Sequence, residues 1–226
     1  MAWGTSRCGK HRHRIYFQQR EESCALACTL MALQRKNKLN SAGARYRQKR
    51  GLTVTNKPLT EDEARQASQL YGGSGYYRPS AQDGGANTSD LRYRMVADMM
   101  MQTLGSEGTG TCLPNIARTL TALGVPAQYR NNVNWAQVVA AAGKNVVISA
   151  VRWRGGGGHA ILLEKVVRGW KKGKGLLSRR KRVNVSICVC DPIFGASRAL
   201  LAGAKKPIYR PASGSAGTFS AEMVTL

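Results

Sequence analysis

The sequence predicts an α+β fold, a helical N-terminal half whose central helix packs against a C-terminal antiparallel β-sheet. Three observations carry that expectation. Ser23-Cys-Ala-Leu-Ala-Cys-Thr-Leu-Met-Ala-Leu33 is a mostly apolar run of good helix formers. Helix signals continue to about Gly143, after which Asn145–Arg152, Ala160–Arg168 and Val183–Cys190 are rich in Val and Ile. Elements grouped in blocks, rather than alternating, argue for two unlike halves of one domain. The expected plan is a basic flexible arm over residues 1–14 and one domain over 15–226, with a helical half at 15–143 and a β half at 144–226.

Each element has its own signal. Ser23 can cap the helix that begins at Cys24, and apolar residues fall all round that helix, so it should be buried on most sides. Thr60-x-x-Glu63 is a capping-box signature for a helix ending near Leu70. Tyr71–Thr88, rich in Gly, Ser and Tyr, reads as a long loop, and Ser89–Leu104 as a helix stopped by Gly105. Pro114 suits the first turn of the next helix and Gly124 the position just past its end. Asn134 can cap Trp135–Ala142, and Gly143 ends it. Arg168–Arg182 contains no acidic residue and lies between two strands, so it reads as a basic hairpin tip. Ile208–Tyr209 and Thr218–Phe219 predict a last strand or two, with the chain ending at the surface.

Composition narrows the function. Of 226 residues, 35 are Lys or Arg and 12 are Asp or Glu, giving a formal charge of +23, while 42% are apolar. That apolar share excludes a disordered polycation. No apolar stretch is long enough to span a bilayer, and residues 1–20 lack the apolar core of a secretory signal. The six cysteines show no paired metal-knuckle spacing, and a chain this long needs no disulfide framework, so free thiols in a reducing compartment are expected. Cys8 with His11 and His13 is the one metal-like grouping, and the expectation is no metal and no cofactor.

Three residues can carry chemistry. Cys24 stands at a helix N-terminus, where free backbone N–H groups and the macrodipole favour an anionic nucleophile. His159 follows Gly155–Gly158 and opens the strand His-Ala-Ile-Leu-Leu163, a position suited to facing a cleft. If Ala160–Arg168 and Val183–Cys190 pair as a hairpin, the start of one strand lies beside the end of the other. His159 and Asp191 are then neighbours, and Asp191 can orient the imidazole. Gln18 can donate to an oxyanion with the Cys24 backbone N–H, and Gln19 competes for that role. Each residue also has a plainer reading: Cys24 as a core residue, His159 at a loop edge, Asp191 in an Asp-Pro turn.

Gln18-x5-Cys24, the Cys-Ala-Leu-Ala-Cys-x2-Met start of the helix, Gly-Gly-His159-Ala-Ile-Leu-Leu and Asp191-Pro-x-x-Gly195 occur in that order. Together they resemble the papain-like cysteine proteases, in particular the bacterial branch with the double-glycine (bacteriocin leader) peptidases and effector proteases of plant pathogens. The resemblance spans most of Gln18–Gly195. It implies a papain-like fold and a thiol protease without cofactor: Cys24 as nucleophile, His159 as base then acid, Asp191 orienting it, and Gln18 in the oxyanion hole. The long Cys24–His159 interval departs from compact members, with Tyr71–Thr88 the expected insertion. Ala25 stands where Gly or an aromatic residue is often found.

Basic residues cluster in Arg7–Arg20, Arg35–Arg50 and Arg168–Arg182, which attract acidic partners. The expected partner is a protein or peptide substrate, acidic in character. The small basic chain also fits a toxin or effector, cytoplasmic or delivered into a target cell, and held by a neutralising partner protein. Two alternatives stand beside the protease: a non-catalytic nucleic-acid-binding module, and a papain-like deamidase or acyltransferase.

Overall fold

Local hydrogen-bonding chemistry fixes most of the helix ends that frame the molecule. The structure is a computed structural model that describes residues 2–19, 23–71, 111–153, 158–171, 181–200, 208–209, 211 and 216–226. Among these, β1 (Trp3–Cys8) and β2 (His11–Tyr16) precede helices α1 (Cys24–Arg35), α2 (Leu39–Lys49), α3 (Glu61–Tyr71) and α4 (Leu113–Ala122). Next come β3 (Gln128–Arg130) and α5 (Trp135–Ala142), then strands alone: β4 (Val147–Trp153), β5 (Gly158–Lys171), β6 (Lys181–Asp191), β7 (Gly195–Leu200), β8 (Ile208–Tyr209) and β9 (Gly217–Thr225). The fold is α+β. Residues 72–88 of the expected loop, the expected helix at 89–104, Gly155–Gly157 and residues 172–180 of the basic hairpin tip lie outside the described residues.

Several caps form as their residue types dictate. Thr60 Oγ1 accepts from the Glu63 N–H at 3.2 Å, and Glu63 Oε2 accepts from the Thr60 N–H at 3.0 Å, closing the capping box of α3. Asn134 and Gln137 close a second one at α5. Gly124, just past α4, has φ +88°, the left-handed conformation that glycine adopts freely. Ser23 differs from expectation. Its carbonyl accepts the Ala27 N–H at 2.8 Å and so starts α1, but its hydroxyl makes no capping bond.

The strands β3 to β9 form one sheet in the order β3-β9-β4-β5-β6-β7, with β8 also on β9, and every pairing is antiparallel. One face (Ile148, Leu162, Cys190, Val224) packs with the apolar body of α1 (Leu26, Leu30, Leu33). The opposite face (Val147, Ile161, Leu163, Val189, Met223) is covered by Val138 and Ala142 of α5. Burial on both faces explains why these strands read as Val/Ile runs rather than as strict alternation. The C-terminal strand β9 is interior to the sheet, between β4 and the β3/β8 side, and buries Met223 and Val224. The last strands expected at Ile208–Tyr209 and Thr218–Phe219 are present, as β8 and within β9. No helix among the described residues is long and apolar enough to cross a membrane.

The helical half is less purely helical than expected, because residues 3–16 form a hairpin instead of a flexible arm. β1 and β2 pair from Trp3↔Tyr16 to Cys8↔His11, turning at Gly9 with φ +62°. Thr5, Arg7, Arg12 and Arg14 are exposed, whereas Cys8, His13 and Ile15 are buried. The period-2 pattern is present, but its inward positions include Ser6, His11 and His13, which do not read as apolar. Cys8 is joined to Cys188 of β6 by a disulfide with Cα atoms 6.0 Å apart. A chain whose length needs no disulfide framework thus carries one disulfide all the same.

Candidate active site

Helix α1 is buried from Ala25 to Leu33, so the core draws it inward and brings its N-terminus to the sheet. Cys24, its first residue, remains half-buried. The Cys24 Sγ accepts the backbone N–H of Ala160 in β5 at 3.4 Å, within the longer reach of a sulfur acceptor. Cys28, one turn on, is fully buried, and burial pushes its thiol well above the ordinary range, as suits a core residue.

The β5–β6 register runs through Leu162↔Cys190, and continuing it by one sets Asp191 opposite Ile161. His159, two residues before Ile161, is then the diagonal neighbour on the same face. The His159 Nε2 lies 3.0 Å from Asp191 Oδ2. That commits Nε2 to the carboxylate, and the ring's electrostatic coupling to Cys24 adds to its hold on a proton. His159 is 4% exposed and Asp191 fully enclosed.

Asp191 holds more than the histidine. Its Oδ1 accepts the N–H groups of Ile193 at 2.7 Å and Phe194 at 3.1 Å, an Asx-type turn. Its Oδ2 accepts from the Tyr209 hydroxyl at 2.7 Å as well as from His159. The Asp-Pro turn and the orienting carboxylate are one feature: one oxygen holds the turn, the other the ring.

These contacts set the protonation states. Burial pulls the His159 imidazole down, but hydrogen bonds to Asp191 and Cys24 outweigh it and raise the ring to about 9. Burial pushes the Asp191 carboxyl up, but bonds from His159, Tyr209 and the Ile193 N–H hold it below its ordinary value. Burial and the neighbouring carboxylate push the Tyr209 hydroxyl far upward, so it stays a donor.

Gln18 follows β2 and is half-buried, and its backbone N–H donates to the Pro192 carbonyl at 3.0 Å, beside the Asp191 turn. Gln19 is exposed and gives its N–H to Glu61 Oε2 at 3.2 Å. Of the two competitors, Gln18 is the one drawn to the turn after Asp191. The hairpin is seated there by Ser6 Oγ, which accepts the Ala196 N–H at 2.8 Å.

No protein-family model matches the chain, and no curated protein shows significant similarity to it.

Two groups of residues escape sequence reasoning. Tyr209 completes the shell of Asp191, but it sits in a two-residue strand, and an isolated Ile-Tyr pair carries no signal of that role. His13 lies in the segment expected as a flexible arm, yet its Nδ1 donates to Glu164 Oε1 on β5. Glu164 also accepts from Arg35 Nε at 2.7 Å and from the Cys190 thiol at 3.1 Å. Burial pushes the Glu164 carboxyl up, but the bonds from His13 and Arg35 prevail and hold it at about 2.

Proposed function

We propose that the chain is a papain-like thiol hydrolase that cleaves a peptide or isopeptide bond through Cys24, His159 and Asp191. One observation carries the reading: a cysteine at a helix N-terminus takes the N–H of Ala160, the residue after a histidine whose ring is bonded to a buried carboxylate. That is the arrangement by which an activated thiol is recognised from roles rather than from sequence position. The α+β architecture, with a buried helix against an antiparallel sheet, is compatible with the papain-like fold.

In the proposed reaction the Cys24 sulfur attacks the carbonyl carbon. The developing oxyanion is met by the Cys24 backbone N–H and the Gln18 side chain. His159 Nδ1 delivers a proton to the leaving amine, and a thioester remains on Cys24. The same nitrogen then takes a proton from water, whose oxygen attacks the thioester and frees the acid. Asp191 keeps the ring in register throughout. No step requires a cofactor.

The test is competitive alkylation with iodoacetamide followed by peptide mapping. At or below pH 7, Cys24 is expected to react well ahead of Cys112, the other half-exposed thiol. His159→Ala should abolish that preference. Equal reactivity of the two thiols in the folded wild type would overturn the reading, and salt-sensitive nucleic-acid binding would then be measured for the basic clusters.

A further inference from the structure

Behind the candidate active site, on the α1 face of the sheet, lies a second enclosed group of side chains. Cys8 ends β1, His13 lies diagonally across from it on β2, and Cys188 lies on β6 beneath them. They are 1%, 2% and 0% exposed. One ligand atom from each lies within 4.8 Å of the other two. Two sulfurs and one imidazole nitrogen are the donor set that Zn2+ prefers over harder cations.

The histidine supplies the independent observation. Its Nδ1 is engaged by Glu164, and Glu164 is itself fixed by Arg35, so the ring's orientation and tautomer are set from behind. Its Nε2 is buried and has no hydrogen-bond partner. A buried ring nitrogen left unsatisfied is unfavourable in a folded protein. A carboxylate on one ring nitrogen, an unpartnered second nitrogen and two sulfurs within reach of the ring make the pattern of a metal-ligating histidine with its supporting shell. The disulfide alone leaves that nitrogen without a role.

We propose that, when the Cys8–Cys188 bond is reduced, Cys8, Cys188 and His13 Nε2 bind a zinc ion that fastens the β1–β2 hairpin to β6. Reduction by a phosphine breaks the S–S bond. The phosphine takes the oxygen of one water and becomes its oxide, and the water's two protons leave both sulfurs as thiols. Metal binding then displaces those two protons, and the ion gains two thiolates and one neutral imidazole. The hairpin has reason to need such a fastening, because an isolated two-stranded hairpin is marginal and this one buries few apolar side chains. The disulfide and the metal site are two states of the same staple. This inference is independent of the proposed catalysis.

The experiment uses the full chain, reduced with a phosphine, freed of metal and titrated with Co2+ and then Zn2+. The expected result is one equivalent of cobalt with thiolate-to-metal charge-transfer absorption, displaced by zinc, and a zinc-dependent rise in the Tm of the reduced protein. His13→Gln should weaken binding about tenfold or more, and Cys8→Ser, which leaves only the Cys188 thiolate, should cut the charge-transfer intensity to half or less. Cys24→Ala should change neither, which separates the site from the active thiol. Melting of oxidised His13→Gln, with both sulfurs still bridged, checks its folding, and the wild-type titration decides the matter if that variant fails to fold. A reduced wild type with every thiol titratable but no cobalt absorption would overturn the proposal. So would binding undiminished in folded His13→Gln.

Discussion

Asp191 is an enclosed carboxylate with four donors, and its partner His159 is almost as deeply buried. A buried ion pair of this kind makes stability depend on pH in a direction that can be worked out. The His159 ring is raised from an ordinary value of 6.5 to about 9. Its contribution is therefore complete below about 6.5 and is lost as pH rises through about 9. Asp191 is held below its ordinary value, so its contribution is complete above that value and is lost only as the solution is made strongly acidic. The unfolding free energy of the wild type relative to His159→Gln should thus shrink between pH 6.5 and 9, by on the order of 3 kcal/mol. Urea titrations of both proteins across that range read the difference. A difference constant over that range would mean that the ring is not the charged partner of Asp191. At this scale the nearness of His159 to Asp191 is legible in the sequence because a hairpin register brings two distant strand ends together. Tyr209 is not, since a hydroxyl reaching back over 18 residues leaves no periodic trace.

Among the elements, strong local chemistry was readable and tertiary chemistry was not. The capping boxes at Thr60 and Asn134 formed because side chain and backbone there are only three residues apart. The β1–β2 hairpin is not legible in the sequence because, beyond Ile15 and Tyr16, it is held by a disulfide, Ser6 and the His13–Glu164 bond. Helix α2 falls within the basic cluster Arg35–Arg50, where charge and not helical pattern is the signal in the sequence. Its Arg47 is buried, forks onto both oxygens of Glu63 at 2.8 Å, and donates to the carbonyls of Thr55, Lys57 and Pro58. That hub draws residues 55–58 onto α2 at Gly43. A Cβ on Gly43 would stand 2.6 Å from the Lys57 carbonyl oxygen and 2.9 Å from the Leu59 nitrogen, both of them backbone atoms. In an open helix Gly→Ala gains about 1 kcal/mol. Here the clash should outweigh that gain, and Gly43→Ala is expected to lose about 1–3 kcal/mol, seen as a lower urea midpoint with an unchanged slope. A raised midpoint would show that residues 57–59 yield and that the close approach has no structural weight.

For the whole molecule, the balance of 35 basic and 12 acidic residues raises a question of distribution rather than of sum. Several of the acids are consumed inside or at its margin: Asp191 by His159, Glu164 by His13 and Arg35, and the half-buried Glu63 by Arg47. Such buried pairs are screened weakly by salt. The surplus cations include Arg7, Lys10, Arg12 and Arg14, all exposed on the hairpin, with no comparable set of carboxylates to offset them. Repulsion among exposed like charges opposes the compact state and acts over a distance that salt shortens from about 30 Å at 0.01 M to about 8 Å at 0.15 M. Raising monovalent salt across that range at pH 7 should therefore raise the Tm and then level off, because the repulsion fades while the enclosed pairs persist. A steady fall in Tm would mean that exposed ion pairs, not the enclosed ones, hold the halves together. The buried carboxylates would then have no claim to be the anchors around which this strongly basic chain folds.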